Sequence, residues 1–421
     1  MVTLISFLVM LGVVVIVHEW GHFITARRNG VRVEKFSIGL GPKLFSKKVG
    51  DTEYVVSAIP LGGYVKMAGE NQDEIRNLPD EFSSKTLWQR GKIVFAGPAI
   101  NIVLAFLLMP LVYMIGIQEP KYLNEPAKIG WVEDQSTAQV AGLKAGDLVI
   151  GVANQPIENW KELREALMSK SVSRLEIKRE DKLISLPVTA PLAGLYPDLR
   201  PVVQKVLPGK PAERAGLQEG DILLSIDQTR ITSFNHFLYL IQNKAGKEIN
   251  LEINRGGTTM IRVVTPLFDP KVKKVILGIS MGNETLFTRY GLLESIQIGT
   301  SNLVNSINLT FSVLGRLVTG KLSLEVMGGP VQIAQMSGQA AKTGLGAFIF
   351  LMAMISLQLG IFNLLPIPVL DGGWIVLFIL EGIQGHPLSK KVINAAQFTG
   401  FSLLMGLMVY VTFNDIMKLF R

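Results

Sequence analysis

His18-Glu19-Trp20-Gly21-His22 sets two imidazoles and a carboxylate close together in a short stretch of chain. On a helix, positions four apart share a face, so His18 and His22 can bind one metal ion between them. Glu19 is then placed to take a proton from an attacking water. The surroundings are unusual for such chemistry, because residues 1–17 carry no charged side chain. Ionisable groups at membrane depth are costly, and their presence there points to function. The plain alternative is a chance match in which Glu19 and a histidine bond each other inside a packed helix.

A catalytic zinc takes three protein ligands and keeps a fourth position open. The chain has no cysteine, which excludes thiolate ligands and disulfides. His236 and His386, the other two histidines, read as surface residues. The third ligand is therefore expected to be a carboxylate from another apolar segment, and Asp371 is the candidate. It stands in Asn363-Leu-Leu-Pro-Ile-Pro-Val-Leu-Asp371-Gly-Gly373, behind the uncharged residues 345–365. Pro366 and Pro368 break a helix there, and the two glycines loosen the chain after the carboxylate. Irregular backbone at membrane depth is tolerated where it is packed in protein or lines a wet cavity. Asp371 as a helix cap at the membrane edge is the competing reading.

Together these motifs resemble the site-2 proteases, the intramembrane zinc metalloproteases, and most of all their bacterial regulator-of-sigma-E branch. H-E-x-x-H in the first span and Leu370-Asp371-Gly372 near the third form that family's signature pair. Gly39-Leu-Gly41-Pro42, Gly62-Gly63-Tyr64-Val65-Lys66-Met67, Gly97-Pro98-Ala-Ile-Asn101 and the run from Asn363 to Gly373 extend the resemblance over nearly the whole chain. Trp374 departs from it, at a position that is not a metal ligand in the family. The resemblance implies a zinc metalloendopeptidase with one Zn2+ per chain, held by His18, His22 and Asp371, with Glu19 as general base. It also implies auxiliary, substrate-holding roles for Asn363, Pro368 and Asn101. For Asn101 a helix–helix hydrogen bond is the favoured reading.

The elements that must position these residues follow from composition. Hydrophobic residues make up 48% of 421 and charged ones 18%, with a mean hydropathy of +0.34. The expected fold is an α-helical polytopic membrane protein of four spans: 1–24, 92–118, 343–383 with Asp371, and 392–415. The first is expected to be a retained span, since it lacks a basic leader and a small-residue cleavage site. Residues 25–91 read as a β-rich, membrane-associated, hairpin-like element, with strands at 31–36, 43–47 and 53–58. Residues 284–340 read as an amphipathic, interfacial helical region, where Leu303, Ile307, Phe311, Leu314 and Val318 recur at helical spacing.

Between the second and third spans lies a repeat. Ala138-Gln-Val-Ala-Gly-Leu-Lys-Ala-Gly-Asp147 matches Ala212-Glu-Arg-Ala-Gly-Leu-Gln-Glu-Gly-Asp221. Each copy is followed by an apolar strand (148–152, 222–226), a helix (160–168, 234–243) and two strand-like runs. This order resembles two PDZ (α+β) domains of the permuted bacterial type, at 119–192 and 193–268. Such domains bind peptide termini by strand addition or, as spacers, gate access by size.

Lys and Arg crowd the flank after the first span (Arg27, Arg28, Arg32, Lys35, Lys43, Lys47, Lys48), and Lys390 and Lys391 precede the fourth. The positive-inside rule puts these flanks in the cytoplasm, with both termini and the repeat region outside. His18 then lies about 26 Å along the first helix, toward the cytoplasmic side of a bacterial inner membrane. The net charge of +8 is explained at least partly by these flanks and calls for no nucleic acid. The resemblance implies substrates that are single-span proteins, such as a trimmed anti-sigma factor, or remnant signal peptides. A metal-ion transporter using the same residues and a catalytically idle PDZ scaffold are the other classes. The Glu in base position and the complete residue set speak against both.

Overall fold

The structure is a computed structural model that describes residues 1–71, 73–168, 174–188, 191–270, 273–282, 285–322 and 328–419. The boundary expected at 284 lies outside the described residues. Contacts divide the chain into two units, Met1–Ile117 with Thr288–Arg421, and Gln118–Phe287.

In the first unit, α1 (Val2–Arg28) is a 27-residue helix, about 40 Å long at 1.5 Å per residue. Arg27 and Arg28 close its last turn, where cations suit the helix dipole. Two long strands follow, β1 (Val33–Val49) and β2 (Thr52–Met67). Each bends, so Lys35–Ile38 are flanked by Lys66–Gly63 on one side and by Glu53–Val56 on the other. The tip residues Lys43 to Val49 pair with Ser57 to Thr52. Gly39 makes the bend in β1 at φ +89, where a Cβ would lie 2.8 Å from the Ile59 carbonyl. The run 63–67 was not expected as a strand, because Gly62-Gly63 reads as a turn. It is the outer run of this sheet, with no strand on its far side among the described residues. Phe36, Val65 and Met67 anchor the sheet to Phe23 of α1 and to Ile93 and Val94 of α2 (Leu87–Ile115). Helix α2 starts with a Thr86/Gln89 capping box and carries Pro98 and Pro110 inside it.

The second unit holds two modules of one design. The strand β3 (Ile117–Pro120) leads into β4 (Ile129–Val132), α3 (Thr137–Val140), β5 (Leu148–Val152), β6 (Gln155–Pro156), α4 (Trp160–Met168), β7 (Arg174–Arg179), β8 (Lys182–Pro187) and β9 (Leu195–Pro197). The second copy runs β10 (Val202–Val206), α5 (Pro211–Arg214), β11 (Ile222–Ile226), β12 (Thr229–Arg230), α6 (Phe234–Ile241), β13 (Ile249–Arg255) and β14 (Thr258–Val264). Then come β15 (Leu267–Asp269), β16 (Lys274–Ile276), β17 (Ile279–Gly282) and β18 (Thr285–Thr288). The sheets are ordered β6-β5-β7-β8 and β14-β13-β11-β10-β17, with β12 on β11. Each module has its own core, around Leu163 and Ile177 in one and Phe237 and Leu251 in the other.

The repeated Gly-Asp has a structural reason in both copies. Arg179 donates to both carboxylate oxygens of buried Asp147 (2.7 and 2.8 Å) and to the Gly142 carbonyl (2.7 Å). Arg255 does the same to Asp221 and the Gly216 carbonyl. Burial raises the Asp221 carboxyl, but Arg255 and the Gln218 N–H outweigh it and hold it below the ordinary carboxylate range. Removing either arginine would strand a buried charge.

The chain returns to the first unit beside its exit, where Tyr290 N donates to Tyr113 O (3.1 Å) and Arg289 Nε to Ile115 O (3.0 Å). Helix α7 (Leu292–Val318) and helix α8 (Pro330–Thr343) take the place of the single interfacial region expected there. The apolar ridge of α7 is also turned inward in part, since Leu303 and Ile307 pack with Met109 of α2 and Leu357. Asn302 Nδ2 donates to the Tyr113 hydroxyl (2.6 Å), so the polar residues that set α7 apart serve packing between helices. Next come α9 (Leu345–Asn363), α10 (Asp371–Gln384) and α11 (Lys390–Leu419). Among the described residues, four helices are long and apolar enough to cross a membrane, at Val2–Arg28, Leu87–Ile115, Leu345–Asn363 and Lys390–Met417. Leu4, Ile5 and Val9 on α1, Leu107 on α2 and Phe398, Leu403 and Val409 on α11 are exposed. Lipid is the solvent that suits such surfaces.

Candidate metal centre

Three segments far apart in sequence meet at one point. Helix α1 brings His18 and His22 from successive turns of one face. Helix α10 begins at Asp371, so the carboxylate sits in a first turn, where negative charge is favoured. Residues 364–370 interrupt what was expected as one span, with Val369 at φ +88. A β-branched residue at positive φ is strained, and such strain gathers at functional sites. Helix α10 is fastened to α2 by Arg90, which donates to Glu381 Oε1 (2.6 Å) and lies over the Phe378 ring.

His18 Nε2 and His22 Nε2 are 3.2 Å apart. Asp371 Oδ2 is 3.3 Å from the first, and its Oδ1 is 3.6 Å from the second. Among the described residues, this group brings three metal-ligating side chains together, with ligand atoms within 4.8 Å of one another. The donor set fits zinc. Tetrahedral ligation at about 2.0–2.1 Å spaces neighbouring donors roughly 3.3–3.4 Å apart, close to the separations found. Two imidazoles with one carboxylate also suit zinc better than the all-oxygen shells of calcium or magnesium.

A cavity of about 300 Å³ opens on this point, lined by His18, Glu19, His22, Tyr64, Val65, Met67, Glu70, Asn363, Asp371 and Trp374, among others. Glu19 is therefore in the same chamber as His18, His22 and Asp371. The outer run 63–67 forms one wall, and a Cβ on Gly63 would come within 3.0 Å of Glu19 Cγ. Asn363, the last residue of α9, has Nδ2 at 3.4 Å from His18 Nε2. Asn101 on α2 touches His18 from the other side, with Nδ2 at 3.3 Å from Nδ1. Pro368 belongs to the interruption and does not line the cavity.

Sequence reasoning gave three neighbours of the site no role in it. The Ile93 carbonyl is 2.9 Å from His22 Nδ1. Gly97 lets α2 approach, since a Cβ there would fall 2.2 Å from His22 Nε2. Glu70 adds a further carboxylate to the chamber. The i, i+4 spacing of Gly97 and Asn101 was the one signal for this, as it puts both on one helical face. His236 and His386 lie elsewhere. His236 stacks on Trp131, with ring centroids 5.5 Å apart, and burial lowers its pKa. A larger cavity of about 700 Å³ lies in the second unit beside Arg200, Asp227, Arg230 and Glu252. It has no imidazole and offers no comparable ligand set.

The chain is similar over nearly its whole length to known proteins. The sequence model described as Peptidase family M50 matches residues 6–407. The regulator of sigma-E protease RseP of Escherichia coli (strain K12) is 34% identical over 455 residues, covering 99% of this chain and 98% of that protein. A Haemophilus influenzae protein named regulator of sigma E protease is 32% identical, covering 98% of each chain. A Pasteurella multocida protein with the provisional name zinc metalloprotease is 33% identical, again over 98% of each. Among solved structures, the PDZ domain of an SdrC-like protein from Listeria monocytogenes matches 21% of this chain and 93% of that domain. The identity there is 22% and the TM-score 0.19.

Proposed function

The chain belongs to peptidase family M50 and is an intramembrane site-2 protease, and from that premise we propose how its residues work. One zinc ion per chain is held by His18, His22 and Asp371, with a fourth position left open. When bound, zinc supplies Lewis acidity toward a carbonyl and toward water. Glu19 takes the proton of the attacking water and returns it to the leaving amine. The observation that carries this reading is the convergence of both Nε2 atoms and the Asp371 carboxylate beside Glu19.

A helical peptide bond is shielded by its own hydrogen bonds, so the substrate must be extended before it can be cut. The outer run 63–67, with no strand on its far side among the described residues, lies along the chamber wall and suits strand addition by an extended segment that takes the place of the Glu70 contact to Met67 N. Asn363 is placed to hold that segment, and Pro368 to hold the interruption behind it. The substrates are single-span membrane proteins, anti-sigma factors trimmed outside the membrane in the first place and remnant signal peptides in the second. The names of the relatives support the first class. The basic flanks favour the bacterial inner membrane with both termini and the second unit outside and the metal toward the cytoplasmic side. The duplicated element order supports two PDZ modules there. A transport role is not favoured, since the described residues offer this one cluster and no relay of further ligands.

The test is metal analysis of the purified protein together with cleavage of a reporter membrane helix. Glu19→Gln should keep wild-type zinc and lose at least about 100-fold in turnover, the lower end of general-base effects. Near-normal cleavage by that variant would reject the mechanism.

A further inference from the structure

We propose that Asn101 is the hydrogen-bond acceptor that holds the His18 imidazole in its metal-binding tautomer. This rests on the zinc site proposed above. Both Nε2 atoms face Asp371, so both histidines bind through Nε2, and each Nδ1 must carry the proton of a neutral imidazole. Each Nδ1–H then needs an acceptor, because a ligating histidine is oriented by the bond its other nitrogen makes.

His22 has its acceptor in the Ile93 carbonyl at 2.9 Å. His18 Nδ1 faces the Asn101 carboxamide at 3.3 Å, with the amide nitrogen turned toward it. Once Nδ1 is protonated, two donors oppose each other. Asn101 is fully buried, and its Oδ1 is among the buried atoms with no hydrogen-bond partner. The two ends of a carboxamide have nearly the same shape. A half-turn of the amide therefore brings Oδ1 onto the Nδ1–H without repacking, and moves the partnerless position to the amide nitrogen. A metal-bound imidazole is a stronger donor than a free one, which favours the turned state.

The surroundings fix the residue for this role. Ser356 Oγ donates to the backbone carbonyl of Asn101 at 2.8 Å, tying this turn of α2 to α9. Gly97, one turn earlier on the same face, lets α2 come close enough for the amide to reach the ring. Asn101 touches no reacting atom in this scheme. It is a positioning residue, acting through His18.

The experiment compares the full-length wild type with Asn101→Leu and Asn101→Asp. Zinc affinity is read by competition with a chromogenic chelator in detergent, and the visible spectrum is recorded after cobalt substitution. Leu keeps the volume and removes the acceptor. It should weaken zinc binding about 10–100-fold and alter the cobalt spectrum. Asp keeps an acceptor and cannot donate, so it should bind zinc within a few-fold of wild type. An Asn101→Leu variant with unchanged zinc affinity would overturn the inference while leaving the metal site standing. If Leu disturbs helix packing, the Asp variant decides alone, because a loss as large as that of Leu would mean that Asn101 serves as a donor between helices. Wild-type protein that takes up no zinc would overturn the metal site itself and this inference with it.

Discussion

Asp371 differs from the two histidines in what its loss would leave behind. Without it, two neutral imidazoles face a dication with no compensating charge and no third ligand. Asp371→Ala should therefore cost more zinc affinity than the roughly 10–100-fold set by loss of a supporting partner. Metal content after dialysis against a weak chelator measures this, and full zinc with full activity would mean that another group completes the site. Glu19, His18 and His22 were legible in the sequence because one helical face fixes their relation. Asp371 was legible because an acid between prolines and glycines in an apolar stretch is too costly to be incidental. The second contacts of the imidazoles were not. Ile93 acts through its carbonyl, which no side-chain pattern encodes, and the use of Asn101 depends on which imidazole nitrogen faces it.

At the scale of elements, α2 is the wall against which His18 and His22 are set. Gly97→Ala would raise intrinsic helix propensity by about 1 kcal/mol, yet the new methyl would stand 2.2 Å from His22 Nε2. Backbone and ring cannot both stay in place. The expected outcome is a helical, membrane-inserted protein by circular dichroism that has lost most of its zinc and activity. Unchanged zinc would show that α2 can move away at little cost. Other elements show where local signals suffice. Strands 148–152 and 222–226 and helix 160–168 match the expected ranges, and the second helix ends at Ile241, two residues early. In each, turn residues bracket an apolar run. The run 63–67 escaped because Gly62-Gly63 imitates a turn while the chain continues as a strand. The ridge of α7 escaped in part because periodicity reveals an apolar face without saying whether protein or lipid covers it.

For the whole molecule, every residue assigned to the chemistry lies in the first unit, while the second has two cores of its own. The repeat at 138–147 and 212–221 made that division legible, since a duplicated module of this length must fold on its own core. What the modules do was not legible, because a PDZ-like order fits either a peptide clamp or a spacer. Removing the second unit separates these roles. The chain leaves at Ile117 and returns at Thr288 close to its exit, with Tyr290 bonded to Tyr113 and Arg289 to Ile115. A short flexible linker in place of residues 118–287 should therefore leave the helices and the metal ligands undisturbed. If the modules gate access by size, the deletion should keep wild-type zinc, cut a trimmed single-span substrate at a similar rate, and begin to cut one whose folded outer domain is still attached. If they recruit substrate by strand addition, cleavage of the trimmed form should fall, because the local concentration given by binding is lost. Size gating is the expected result, since two folded modules obstruct a folded domain without any specific contact. Loss of activity on the trimmed substrate, with zinc content and helix content intact, would reject it in favour of recruitment.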